Sequence, residues 1–407
     1  MSKLITNTVR HTAGSADNIT LDNSQNVTVE GNLTVDGTTT LTGAVTGTPL
    51  SFRNLIMNGE FIVDQRMGGS ATAITPSGGV DYTCDRWQES NYSGEAGRIT
   101  FQTVSDDVPN GNYRKALKLD CTTAMGAPSG NDWMGLAQFI EAQDVRFLGH
   151  GTSDAKSFTL QFWIKSTKTG TASVTVLRHD ASREYVAEYT ISSSDTWEKK
   201  TITIPGDTTG TEAAMDNGRG FLVSFSLFAG SSRHGTLDEW RAQNGGYTGA
   251  SSNQVNLLDS TSNNIFFTGV QLEAGDTATD YEHRSYGDEL ARCRRYFQNW
   301  DCAGYFAAGG ATSAGASIVP CHYATEEMRA TPTVTLPNTT SSTSSGEIRH
   351  SNHTGSTPAT AGTIGVNSIS KCGFNVSGTS FVSSFGAAGN TVYLYTDSCQ
   401  IKINAEL

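Results

Sequence analysis

Hydrophobic and polar positions divide this 407-residue chain into four zones. Residues 1–18 are polar and short of core residues. Residues 19–49 carry a repeat: written in sixes from Val29 it runs VEGNLT, VDGTTT, LTGAVT. Val29, Val35 and Leu41 share one phase, Leu33 and Val45 fall four places after the first and third, and Gly31, Gly37 and Gly43 hold one fixed position. Upstream, Ile19, Leu21, Val27 and Val29 alternate as strand residues do. Short strands broken by Gly give the chain one thin apolar stripe, which a segment of about thirty residues cannot cover alone. Three chains wound around one axis can cover it, so the repeat predicts a homotrimeric β-shaft. The bland alternative is a flexible Thr/Gly-rich linker, but a linker does not need apolar residues in register.

Residues 50–283 predict one large β-sandwich. Strand candidates are ITFQTVS near Ile99, RKALKLDC near Leu117, SFTLQFWIKST from Ser157, ASVTVLRHD from Ala172, REYVAEYTIS from Arg183, KKTITIP from Lys199, GFLVSFSLFAG from Gly220 and NIFFTGVQLEAG from Asn264. Alternation is clear in Phe158, Leu160, Phe162 and Ile164, and again in Leu222, Ser224, Ser226 and Phe228. Strands without intervening helices argue for an antiparallel jelly-roll. Residues 284–300 then carry a helix signal, with Tyr286, Leu290, Cys293 and Phe297 on one face. Ser285, Asp288 and Glu289 suit its first turn, and Arg292, Arg294 and Arg295 its last. The stripe would pack on a neighbouring domain, or form a three-helix plug on a trimer axis. From 301 to 407 short strands return, with GASIVPCHYAT, ATPTVTLP, SKCGFNVSG, GTSFVSSF and NTVYLYTDSCQIKINAEL. The expected fold is therefore mainly β: a trimeric shaft, a jelly-roll, a short linking helix and a small C-terminal β-sandwich.

Composition supports this and removes several functions. Charged residues are 17% and Gly numbers 43, a balance that favours strands and turns over helices. With 28 basic against 40 acidic residues the net charge is −12, which argues against nucleic acid or anionic lipid as a partner. The seven Cys are scattered with no CxxC pair, so zinc has almost no support. The start lacks the apolar run of a secretory signal, and no stretch is apolar enough to insert in a membrane as a helix. These features predict synthesis in a reducing cytoplasm, with free buried thiols.

Four segments resemble bacteriophage tail fibre proteins. NITLDNSQNVTVEGNLTVDGTTTLTG resembles the repeat that follows their virion-anchoring end. RNLIMNGEF with VDYTCDRW resembles the first strand and Asp-Arg-Trp turn of their carbohydrate-binding-module-like jelly-roll. DTWEKKTITIPGDTTGT and FTGVQLEAGDTATDYEHRSYGDELARCRRYFQ match that domain's later strands and exit helix, and MRATPTVTLP with INAEL resembles a common small C-terminal domain. The resemblance implies trimers, attachment to a phage tail or baseplate protein through residues 1–18, and recognition of a host-surface glycan or other receptor further out. The chain would be made in the host cytoplasm, released by lysis and resident in the virion tail. It would act without catalysis, by adhesion. Open alternatives are a tailspike-type polysaccharide depolymerase and a purely architectural fibre. Receptor specificity is expected in distal loops, such as 338–364 and the turns near Asn390.

Candidate chemistry is sparse. Ser232, His234 and Asp238 share one loop, but no GxSxG elbow accompanies them. Asp238, Glu239, Glu326 and Glu327 could supply a glycosidase pair, as could many carboxylates of an acidic chain. Sugar binding needs an aromatic face and nearby polar groups. The loop RHGTLDEWRAQNGGYTG offers Trp240 and Tyr247 among Arg233, Asp238, Arg241 and Asn244, with a cap on the sandwich as the equal alternative for Trp240, whereas Trp87, Trp163 and Trp197 are expected in the core. No cofactor is expected. His350 and His353 on a trimer axis are remote metal candidates, and Asn58, Glu60 and Asp280, as the resemblance implies, remote ligands of a structural calcium.

Overall fold

The computed structural model describes residues 8–9, 19–21, 27–29, 53–73, 80–92, 97–243, 247–310, 321–336, 349–351, 363–379 and 391–407. The chain forms two compact units, Met1–Thr48 and Pro49–Leu407. In the first, β1 (Thr8–Val9), β2 (Ile19–Leu21) and β3 (Val27–Val29) make an antiparallel sheet in that order. Ile19 lies opposite Val29 and Leu21 opposite Val27, so the alternating residues upstream of the repeat do form strands. Of the apolar stripe, Val29 closes β3. Leu33, Val35, Leu41 and Val45 lie outside the described residues.

The larger part of the second unit is a two-sheet sandwich. Its strands are β4 (Thr72–Ala73), β5 (Val80–Tyr82), β6 (Gln88–Tyr92), β7 (Ile99–Val104), β8 (Ala116–Cys121), β9 (Trp133–Glu141), β10 (Phe158–Ser166), β11 (Gly170–Arg178), β12 (Arg183–Ile191), β13 (Glu198–Ile204), β14 (Arg219–Ala229), β15 (Trp240–Ala242) and β16 (Asn264–Ala274), with a four-residue helix α1 (Ala142–Val145). Six strands pair in the order β13-β10-β16-β8-β7-β4 and seven in the order β15-β12-β11-β14-β9-β6-β5. The named strands pair antiparallel, as the jelly-roll reading required. Phe158, Leu160, Phe162 and Ile164 of β10 point inward against Phe221, Val223 and Phe225 of β14 in one continuous core. Period-two burial from both sheets fills this layer.

The seven-stranded sheet is buried on its outer side too. The chain after β15 lies over it: Thr175 Oγ1 donates to Gly249 O (3.0 Å), and the Ser173 and Ser251 hydroxyls meet at 3.2 Å. Further along, Ala137, Phe139, Leu177 and Leu222 pack with Tyr296 and Leu407. This second layer explains why Leu222, Ser224 and Ser226 are buried as fully as the residues between them; Phe228, past a register shift in the β14–β9 pairing, turns into the inner core.

The linking helix α2 (Tyr286–Arg294) is shorter than the 284–300 span expected. Ser285 caps it as predicted, its hydroxyl accepting from Asp288 N at 3.1 Å. Leu290 and Cys293 pack on Ile62 and Val63 of the same chain, which favours docking on the sandwich over an axial plug. Two of the four stripe residues are corrected. Tyr286 is exposed, and Phe297 opens a strand because its backbone pairs with Asn404. The distal strands are β17 (Phe297–Gly310), β18 (Cys321–Ala324), β19 (Thr333–Thr335), β20 (Arg349–Ser351), β21 (Thr363–Ser370), β22 (Gly373–Thr379) and β23 (Thr391–Asn404). They form a sheet β17-β23-β19, with β20 also on β23, and a sheet β18-β22-β21.

Candidate functional site

Because Phe158, Leu160, Phe162 and Ile164 face inward, strand parity turns Thr159, Gln161, Trp163 and Lys165 to the outer side of the six-stranded sheet. Register places each beside outward residues of the flanking strands. Thr159 lies between Thr203 and Glu273, Gln161 between Thr201 and Gln271, and Trp163 between Lys199 and Thr268. Lys165 sits opposite Phe266. One half of this face is covered by the chain after β16: Thr159 Oγ1 donates to Gly275 O (2.8 Å) and Gln161 Nε2 to Thr279 O (2.7 Å).

The other half carries aromatic rings. Trp163 and Trp197 are half-buried, and Lys199 and Thr201 beside them are exposed. Trp163 Nε1 donates to Tyr113 Oη at 3.0 Å, and Trp197 Nε1 to Asp107 Oδ1 at 3.1 Å. The Trp197 ring meets Phe266 edge-on at 6.1 Å, and Lys165 Nζ stands 4.5 Å above the Phe266 ring. The same ammonium pairs with Asp107 and, at 3.3 Å, with Asp195. Tyr113 continues the row, 6.4 Å from Trp163 and 5.5 Å from both Tyr281 and His283. Burial raises the Tyr113 phenol above its ordinary pKa, so it stays a neutral donor and acceptor. The indole hydrogen bonds fix both ring planes, and a rigid aromatic surface loses little entropy on meeting a ligand.

A bulge shapes the seat. Between Gln161 and Trp163 the β10–β16 register shifts, with one extra residue on β16. Gly269 sits there at φ +61°, and a Cβ on it would lie 2.6 Å from the Tyr113 ring. The bare bulge admits Tyr113 beside Trp163.

The expected core positions of Trp163 and Trp197 are thus corrected, whereas Trp87 is fully buried. The expected sugar loop is used differently. Trp240 caps the sandwich: its ring lies 5.5 Å from Tyr185 and 5.6 Å from His150, and Nε1 donates to Pro205 O at 2.7 Å. Tyr247 meets Trp133 edge-on at 5.0 Å. Arg241 is tied to buried Glu184 and to Thr248, and Arg233 donates to Tyr247 O (2.8 Å) and Asn131 O (3.1 Å). Asp238 is exposed at positive φ, with its backbone N–H bonded to Val186 O, and Asn244 lies outside the described residues. Most of these groups hold the loop to the sheet; Arg233 also lies 3.9 Å over the ring of exposed Tyr92.

The remaining candidates are dispersed. Glu60 is occupied by Arg114 and faces His283 at 3.5 Å. The Asn58 amide donates to Val63 O and Asp85 O, while Asp280 is exposed. Each calcium candidate therefore serves a different neighbour. His350 lies in β20, and His353 lies outside the described residues. Among the described residues no group of three or more His, Cys, Asp or Glu could hold a metal ion. The carboxylates Asp238 and Glu239 precede β15, and Glu326 and Glu327 follow β18; Glu326 pairs with Arg294 at 2.8 Å. Cys84, Cys121 and Cys293 are free and buried, Cys372 free and exposed.

No protein-family model matches the chain, and no curated protein matches it in sequence. Among solved structures it is similar to the enzymatically active domain of bacteriophage CBA120 tailspike protein 4, at 13% identity and TM-score 0.30 over 54% of this chain. The match spans only 21% of that tailspike chain. It is also similar to TmCBM61 in complex with β-1,4-galactotriose (12% identity, TM-score 0.26, 55% of this chain and 99% of that one). A third is the family 11 carbohydrate-binding module from Clostridium thermocellum in complex with a mixed-linked tetrasaccharide (10% identity, TM-score 0.25, 47% and 91%).

Proposed function

We propose that this chain is a subunit of a homotrimeric phage tail fibre that attaches the virion to a host-surface glycan without turning it over. The observation that carries the glycan reading is the outward pair Trp163 and Trp197 on the six-stranded sheet, each held by an indole hydrogen bond and bordered by Lys165, Asp107 and exposed Lys199. Aromatic faces take the C–H side of a sugar ring, and the flanking polar groups take hydroxyls. The fibre reading rests on the four tail-fibre-like segments of the sequence.

Two of those segments now have a physical role. Asn54 Oδ1 accepts from Ile56 N (2.9 Å) and Leu272 N (3.0 Å), and Trp87 Nε1 donates to Asn58 O (3.0 Å). Asp85 accepts twice from Gln65 at 2.6 Å. These residues knit the first strand-like segment to the sandwich. They carry the fold, and receptor choice falls to the exposed face and to loops. Adhesion through three copies on one axis raises effective concentration, so each face needs only weak affinity.

The test compares the native chain with Trp163→Ala, Trp197→Ala double substitution in binding to intact host cells. We expect native protein at three chain masses in sedimentation to bind cells, release no reducing sugar, and compete with phage. The double variant should lose at least about ten-fold in affinity, stacking being worth roughly 1 kcal/mol or more per ring. Unchanged binding by a folded double variant would remove the face, sugar release would favour a depolymerase, and stable single chains would end the trimer.

A further inference from the structure

The aromatic row leads into a charged cleft. The two residues after Tyr113, Arg114 and Lys115, reach the wall of an open cavity of about 340 Å³ that Tyr286 closes from the start of α2. Helical spacing would bury Tyr286, yet 53% of it is exposed. Gly68 and Gly69 also line it, both at positive φ and with nothing within 4 Å of where a Cβ would stand. One wall is therefore bare backbone and another an accessible aromatic ring.

The charge in this cleft is unusual for the molecule. In a chain of net charge −12, the half-buried Lys115 has no side-chain ion pair or hydrogen bond among the described residues. Lys165, Lys168 and Lys200, by contrast, each hold a carboxylate. Arg114 keeps Glu60 at 2.9 Å while 43% of its own side chain stays exposed. The one carboxylate in the cleft, Asp64, is already satisfied by Met67 N (2.9 Å), Gly69 N (2.8 Å) and Thr103 Oγ1 (2.9 Å). An unpaired ammonium beside a partly open guanidinium suits an anion, and the exposed ring suits the sugar that bears it.

We infer that this cleft receives an anionic substituent of the glycan, a carboxylate or a phosphate ester, so that the ligand is an acidic polysaccharide. The inference rests on the glycan reading above and adds the charge of the substrate. Trp163 holds the sugar chain, and Lys115, with Tyr286, selects the acidic unit.

Calorimetry on the full chain would use three probes: a uronate oligosaccharide, the same oligosaccharide with its carboxyls reduced to alcohols, and a phosphodiester-linked oligosaccharide. At least one charged probe should bind. Lys115→Gln should weaken it about ten-fold, the loss of one charge-assisted contact, and leave the thermal midpoint unchanged. Binding of a uronate should weaken on carboxyl reduction and in high salt, and a preference for the phosphodiester would identify phosphate as the group read. Trp163→Ala should weaken charged and neutral forms alike. Equal affinity for acidic and reduced forms with no phosphodiester binding, or acidic binding indifferent to Lys115→Gln, would overturn the inference and leave Trp163-dependent glycan binding intact. Failure of every probe would count against both.

Discussion

Two buried ionisable groups in the sandwich have opposite pH signatures. Glu89 is fully buried on β6, and burial pushes its carboxyl up to about 7 from 4.5. His150 is brought down to about 4 from 6.5, first by burial and then by the Arg178 charge. Its Nδ1 accepts from Asp207 N (3.3 Å), so the proton sits on Nε2, which donates to Lys156 O at 3.0 Å. Below about pH 4.5 Glu89 is protonated folded and unfolded. As pH rises to about 7 the unfolded chain ionises it while the folded chain keeps the proton, so Glu89 costs stability across that window. His150 acts the other way, its contribution being lost as pH falls from 6.5 towards 4. Glu89→Gln isolates the first effect. The variant's advantage over the parent should grow from about pH 4.5 to 7 and then level, reaching at most on the order of 3 kcal/mol. Urea unfolding of both proteins across this range measures it, and a pH-independent difference would show that Glu89 is ionised in the fold.

Among the strands, the β16 bulge is where local backbone and the proposed binding face meet. Gly269→Ala puts a Cβ into a left-handed position and into the Tyr113 ring. Destabilisation of about 1–2 kcal/mol is expected, together with weaker binding at the proposed glycan face, because Tyr113 orients Trp163 through the 3.0 Å bond to its indole. Urea unfolding and cell binding check the two effects, and a fall in stability with full binding would separate Tyr113 from the site. The same elements show how much of the fold was legible. The eight strands quoted from residues 50–283 all form, since one face of each repeats apolar residues at period two. The parity of β10 also sufficed to place Trp163 outside, had Phe158 to Ile164 been read as the inner face. By contrast β9 was missed: all nine of its residues are buried, so WMGLAQFIE offers no alternation. Phe297 kept helical spacing yet joined a strand, because pairing with β23 overrides local periodicity. Asp107, Tyr113 and the Gly69 wall reach the site from loops, and no periodicity in one segment announces a meeting between distant loops.

On the scale of the molecule, the end of β23 is held to the sandwich through buried charge. Arg86, 1% exposed, pairs with Glu406 and lies 3.5 Å over the Tyr296 ring, and Arg66 reaches the same carboxylate at 3.1 Å. Tyr82 Oη donates to Leu407 O (3.1 Å), Ala405 N to Tyr296 O (2.8 Å) and Arg329 Nε to Ala405 O (2.9 Å). Arg329 also donates to Asn217 O at 2.6 Å, so one guanidinium joins the β13–β14 connection to the residues after β23. A buried ion pair adds little net stability when formed, because desolvation offsets attraction, but removing one partner strands the other. Glu406→Ala leaves Arg86 with the Phe139 carbonyl and the Tyr296 ring, neither of which neutralises it. The expected cost is about 3–5 kcal/mol, and it falls on the junction, since the sandwich core between the sheets does not include Glu406. Heating should therefore split one unfolding transition into two, with the distal strands melting first and becoming open to protease while the tryptophan-rich sandwich stays folded. A single transition at the parent temperature would mean that strand pairing, and not charge, fastens the distal sheet.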